Sequence, residues 1–219
     1  MNRLALFDCD GTLVDGQASI CAALERCFAD AGFTPPMPAA SRRVVGLSLV
    51  EAMATLLPDA GREAHVALAE GYKDAFQRMR REGVVEEPLY HGIAEAIAAL
   101  EEDGWLLGVA TGKSDRGLQL CLDCHGLADR FVTLQTADRH PSKPHPSMIE
   151  QAMADAGAAP DTTVMIGDTS YDMAMARAAG ATAIGVTWGY HDADELLAAG
   201  AQFLATHPSQ LTAMMKVKA

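Results

Sequence analysis

The feature that most constrains this chain is a series of short apolar runs, each leading into a small polar cluster. Runs at residues 4–7, 106–110, 131–134, 164–166 and 183–186, with a weaker one at 203–205, have the length of strands buried on both faces. Helical patterns fall between them. Ile93, Ala96, Ile97 and Leu100 share one face in a segment ending near Gly104, a second pattern over 147–156 stops at Gly157, and a third over 171–179 stops at Gly180. Strands alternating with helices at this spacing predict an α/β fold: a parallel sheet with helices on both faces.

One stretch interrupts the alternation. From about Gly16 to Gly83 the chain is rich in Ala, Leu and Met and has no strand pattern. Helices are expected at 19–31, 49–57 and 62–81, with Pro35, Pro36 and Pro38 between the first two. The expected organisation is therefore a core of residues 1–15 and 84–219 with a helical unit, residues 16–83, inserted after the first strand.

With 219 residues and 49% hydrophobic content the chain can build a core without disulfide or metal staples. Seventeen basic and 29 acidic residues give a net charge of −12, which argues against a broad nucleic-acid or anionic-membrane surface. It leaves room for a small anionic substrate held by a few local cations. Five cysteines without a framework spacing, and a first apolar run too short for a signal peptide, predict a soluble, cytoplasmic protein. The uncharged stretch 196–215 is broken by His207-Pro208-Ser209-Gln210, so it reads as strand, turn and terminal helix rather than as a membrane span.

Four polar clusters follow predicted strands: Asp8-Cys9-Asp10-Gly11-Thr12; Thr111-Gly112-Lys113-Ser114; Ser142-Lys143-Pro144; and Gly167-Asp168-Thr169-Ser170-Tyr171-Asp172. Ligands of open α/β sheets bind beyond the carboxyl ends of the strands, so clusters distant in sequence can converge there. An isolated Asp after a strand is usually a cap or turn residue, and a lone Lys usually a solvated one. Four clusters in an order that can build one site outweigh that reading. Several carboxylates suit Mg²⁺, and Lys and Thr beside them suit phosphoryl oxygens.

These clusters match in order the motifs of the haloacid dehalogenase-like hydrolase superfamily. DCDGTLVD at 8–15 resembles its first motif, Thr111 its second, Lys143-Pro144-His145-Pro146 its third and GDTSYD at 167–172 its fourth. The helical insert resembles that superfamily's small cap, set on a Rossmann-like core. The likeness extends through Ala178-Ala179-Gly180-Ala181 and Gly185-Val186-Thr187-Trp188-Gly189-Tyr190 and is nearest to the phosphoglycolate phosphatase-like group.

The resemblance implies a Mg²⁺-dependent phosphatase acting on a small phosphomonoester through an aspartyl-phosphate. Asp8 would be the nucleophile. Asp10 would serve as acid and base, its backbone carbonyl reaching the metal. Asp8 and Asp168 would give carboxylate ligands, with Asp172 acting through water or in support. Thr111 and the Gly112 amide would hold phosphoryl oxygens, and Lys143 would offset the crowded negative charge. The group often carries Asn at the position of Gly112, so any side-chain contact from there is lost. The expected partner is a small phosphorylated metabolite, with no nucleic acid and no membrane, and the protein a monomer or homodimer.

Two other readings compete. Sugar-phosphate mutases of the same superfamily keep the second Asp of the first motif, whereas dehalogenases and phosphonate-cleaving members lack it. Phosphate-sensing receiver domains combine Asp, Thr and Lys around Mg²⁺ but lack the inserted cap. Cys121-Leu122-Asp123-Cys124-His125 spells a haem-attachment pattern, yet two cysteines one turn apart on a helix are the expected reading. Arg42 and Arg43, just ahead of Gly46-Leu47-Ser48, are candidates to meet a substrate carboxylate.

Overall fold

The computed structural model describes residues 1–216. Six parallel strands form one sheet: β1 (Asn2–Phe7), β2 (Leu106–Thr111), β3 (Thr133–Thr136), β4 (Ala158–Gly167), β5 (Thr182–Val186) and β6 (Phe203–Ala205). Their spatial order is β3-β2-β1-β4-β5-β6, so the chain winds outward one way from β1 and then the other. The reversal lies between β1 and β4, where sheets of this kind open a crevice at their carboxyl edge.

Period-two alternation divides the core. Ala5, Phe7 and Cys9 face one apolar layer together with Ile93, Ile97 and Leu100. Leu4 and Leu6 face the other with Met148, Ile149 and Met173. The first layer is covered by α5 (Ile93–Glu102), α6 (Asp115–Cys124) and α10 (Leu211–Lys216); the second by α7 (Ser147–Ala156), α8 (Ser170–Ala178) and α9 (Ala193–Ala199). Both faces being buried explains why the strands read as continuous apolar runs.

Four helices stand apart from the sheet: α1 (Gln17–Asp30), α2 (Pro38–Arg43), α3 (Leu49–Leu56) and α4 (Arg62–Arg81). They enclose their own apolar cluster, including Leu24, Phe28, Met53, Leu68 and Met79. The segments joining them to the sheet run side by side. Asp15 N donates to Pro88 O at 2.8 Å and Tyr90 N to Leu13 O at 3.0 Å.

Three elements differ from expectation. The third strand begins at Thr133, two residues later than its apolar run, because the edge strand is mostly polar and is held by side-chain bonds from Thr133 and Gln135 to Asp155. The fourth begins at Ala158, where Asn2 pairs with it across a register shift. A short helix, α2, opens at Pro38, whose fixed φ suits a first helical position. No helix among the described residues is long and apolar enough to cross a membrane.

Candidate active site

Asp8 lies one residue past β1 and Asp168 one past β4, on the two strands that flank the reversal. Asp172 sits in the first turn of α8, where its backbone N–H donates to Thr169 Oγ1 at 3.3 Å and its Oδ2 accepts from Thr169 N at 3.1 Å. That reciprocal cap fixes the helix start and the acid together. Oxygens of Asp8, Asp168 and Asp172 all fall within 4.8 Å of one another, and all three residues are buried.

Five of the six carboxylate oxygens in this cluster already have a donor. Asp168 Oδ1 accepts from Thr12 Oγ1 at 2.8 Å and its Oδ2 from Tyr190 N at 2.9 Å. Asp172 Oδ1 takes Lys143 Nζ at 2.6 Å, and its Oδ2 also accepts from Thr169 Oγ1 at 2.7 Å. Asp8 Oδ1 accepts from the Cys9 amide at 2.6 Å. Asp8 Oδ2 is different. Lys143 Nζ stands 2.9 Å away, at ion-pair distance, but off the line of a hydrogen bond, so this buried oxygen keeps free lone pairs.

Charge is unbalanced here. Three buried carboxylates face one buried ammonium, and burial without compensation disfavours the charged form. Burial, reinforced by Asp172 and opposed by Lys143, pushes the Asp8 carboxyl up to about 7. Burial and the two neighbouring acids push Asp168 up as well. Lys143 resists burial because Asp172 and Asp8 hold its ammonium protonated. An uncompensated double negative charge and an oxygen-only donor set fit a hard divalent cation such as Mg²⁺.

Asp10 meets a different ammonium, and its Oδ1, like Asp8 Oδ2, has no aligned donor. Its Oδ1 lies 3.0 Å from Lys113 Nζ, which also meets Glu87 Oε1 at 2.6 Å, and Arg80 on α4 meets Glu87 Oε2 at 2.6 Å. Burial raises the Asp10 carboxyl despite the pull of Lys113. Glu87 is held low against its own burial by Lys113 and Arg80. Lys113 and Glu87 carry no role in the sequence reading. Lys113 stands inside the second cluster, but Glu87 lies in an aperiodic linker that gives no signal.

The helical unit closes over this site. A Cβ on Gly46 would stand 3.8 Å from Asp8 Oδ2, and one on Gly112 would strike the carbonyls of Leu47 and Gly46 at 2.6 and 2.7 Å. Glycine stands at 112 because the backbone of residues 46–47 occupies the side chain's place. Ser48 N donates to Ser142 Oγ at 2.9 Å, and Tyr171 Oη donates to the Arg43 carbonyl at 3.0 Å. Thr111 is buried at the end of β2, its Oγ1 accepting from Lys113 N at 3.3 Å.

Arg43 pairs with Glu195 at 2.5 Å, on the surface between the helical unit and α9. Arg42 has a buried Nε without a hydrogen-bond partner, and neither arginine lines the cavity between helical unit and sheet. Cys9 Sγ turns into the apolar layer, 3.9 Å from Cys121 Sγ. On α6 Cys121 is buried and Cys124 exposed, and both are free thiols; His125 Nε2 meets the Glu87 carbonyl at 2.7 Å.

The sequence model of haloacid dehalogenase-like hydrolases matches residues 5–186. A Dickeya dadantii protein called "Probable phosphatase IndB" is 37% identical over 209 residues, 93% of this chain and 89% of that relative. A "Phosphoglycolate phosphatase" of Vibrio vulnificus is 28% identical, covering 99% of this chain and 97% of its own. The crystal structure of a "predicted phosphatase" from Clostridium acetobutylicum superposes with a TM-score of 0.89 at 25% identity, over 99% of both chains. With its motifs gathered at one sheet edge and its family match spanning that whole region, the chain belongs to the haloacid dehalogenase-like hydrolases.

Proposed function

We propose that the protein is a Mg²⁺-dependent phosphatase that hydrolyses small phosphomonoesters in two steps through Asp8. The single observation that carries this reading is Asp8 Oδ2, a buried carboxylate oxygen with no aligned donor beneath the Gly46 loop. In this reading that oxygen attacks phosphorus, forming an Asp8–phosphate bond as the ester oxygen leaves. Asp10, whose burial favours the protonated acid, gives its proton to the departing alkoxide and then takes one from the water that cleaves the acyl phosphate. Lys143 offsets charge on Asp8 and Asp172, and Thr111 and the Gly112 amide are the proposed holders of phosphoryl oxygens. Asp8, Asp168 and the Asp10 carbonyl would hold the cation, with Asp172 in support. When bound, it supplies positive charge against the phosphoryl oxygens.

Residues 16–83 act in this proposal as a cap on a core of 1–15 and 84–219. A closed cap excludes bulk water, so the Asp8–phosphate meets only the water that Asp10 activates. The relatives named as phosphatases and phosphoglycolate phosphatases support small phosphomonoesters as the substrate class. The test is phosphate release from a panel of such esters, with and without metal. Steady release that stops on chelation and returns with Mg²⁺ is expected. Full activity after exhaustive chelation would contradict the metal assignment, and phosphoryl transfer between sugar positions without net release would favour a mutase.

A further inference from the structure

Between the helical unit and the sheet lies a cavity of about 460 Å³ that begins at Asp10 and runs out between α4 and α6. Its size sets a question of fit. At about 30 Å³ per water it has room for roughly fifteen waters. A glycolate leaving group would displace only a few of them. The remainder would rest against a wall that is mostly hydrocarbon: Ile20, Leu24, Leu47, Tyr72, Phe76 and Leu120. Water against those hydrocarbon side chains finds fewer polar partners than in bulk, so a ligand with an apolar body gains by replacing it there.

The cations on the same wall sort into three groups, of which Lys73, paired with Glu70 at 2.8 Å, is one. Lys113 and Arg80 are tied to Asp10 and Glu87, and both stand over the Phe76 ring, with Lys113 Nζ 5.8 Å and Arg80 Cζ 5.6 Å from its centre. Arg81 and Arg116 are exposed at the mouth and form no ion pair among the described residues. In a chain of net charge −12 this local basic rim draws a dianionic phosphate towards the opening. Tyr72 and Phe76, with ring centres 5.8 Å apart, form an aromatic surface on the cap side of the passage.

We propose that the preferred substrate is a phosphomonoester whose alcohol carries an apolar body about the size of one ring, seated against Phe76 and Tyr72. The proposal rests on the phosphatase reading above and specifies its leaving group. Burial of one ring-sized apolar group predicts a preference of roughly ten- to a hundredfold. Phe76 is then a specificity-determining residue for the leaving group, not a participant in phosphoryl transfer.

Benzyl phosphate and ethyl phosphate test this, because both release a primary alcohol of similar acidity and differ mainly in the ring. The account predicts that kcat/KM for benzyl phosphate exceeds that for ethyl phosphate and for phosphoglycolate by at least about tenfold. Phe76→Ala, or Phe76→Leu should the alanine variant fold poorly, should lower the benzyl-to-ethyl ratio at least about threefold. Reading a ratio cancels any general loss of activity. Benzylphosphonate should likewise inhibit more strongly than ethylphosphonate, a binding readout independent of turnover. Equal kcat/KM for benzyl and ethyl phosphate, or a ratio unmoved by both Phe76 variants, would overturn the proposal and leave the phosphatase reading standing. No hydrolysis of any ester in the presence of Mg²⁺ would overturn both.

Discussion

Asp8 Oδ1 is held by the Cys9 amide, while Oδ2 has only an unaligned ammonium beside it, and the carboxyl is pushed up to about 7. A metal ion binding here below that pH must displace a proton. Mg²⁺ affinity should therefore rise at least about tenfold per pH unit below 7, and more steeply where Asp168, also pushed up by burial, must release its proton as well. In the metal-free protein the sign is the reverse. Asp8 keeps its proton in the fold after the unfolded chain, with its ordinary value of 3.8, has lost it. That group's contribution makes the fold less stable as pH rises from about 4 to 7. Titration calorimetry in two buffers of different ionisation enthalpy reads the released proton directly, and an affinity flat between pH 5 and 7 would contradict the account. The acids were legible because each follows a strand, where backbone geometry alone brings distant residues together. Glu87 was not, since its place beside Lys113 depends on how the linker after α4 returns to the sheet.

Among the elements, the one that limits the site is the loop between α2 and α3. Its backbone rests on Gly112, leaving no room for a Cβ. Gly112→Ala should hold the loop away from Asp8 and lower kcat/KM at least about tenfold, the order expected from misplacing a reacting group by about an ångström. Denaturant unfolding should meanwhile change little, because the core itself is not overpacked. Unchanged activity would show that the loop is not seated this way during turnover. The identity of Gly112 was visible in the sequence as a departure from the family pattern, but its cause was not, since the colliding carbonyls belong to residues 46 and 47. Strands buried on both faces were easy to read for the same reason that edge strand β3 was misplaced: apolar runs report burial, and Thr133, Gln135 and Thr136 are buried through hydrogen bonds instead. Helix α9 leaves little signal in the sequence although Asp192 and Glu195 have capping-box spacing. It is short, and its sequence follows a turn of small and aromatic residues.

At the scale of the whole molecule, closure joins two apolar cores across a polar seam. Arg43 and Glu195 span that seam near the surface, where an ion pair contributes about 0–1 kcal/mol. Arg43→Ala should consequently reduce kcat/KM modestly, less than about fivefold, and by the same factor for phosphoglycolate and for an uncharged ester. A loss confined to phosphoglycolate would instead make Arg43 a carboxylate-binding residue. The parallel sheet with helices on both faces followed from hydrophobic periodicity, whereas the closed seam did not, because it is made by single contacts between surfaces with no repeating pattern.

The claim on which the rest depends is that Asp8 itself carries the phosphoryl group. Asp10→Asn should retain attack on an activated ester such as p-nitrophenyl phosphate, whose leaving group needs no proton, but should stall hydrolysis of the intermediate. Acid quench of that variant during turnover, followed by peptide mass spectrometry, should find one phosphoryl group on Asp8, with a burst of nitrophenol matching the active-site concentration. Rapid phosphate release by the wild-type enzyme, with no burst and no adduct on Asp8 in either protein, would contradict it.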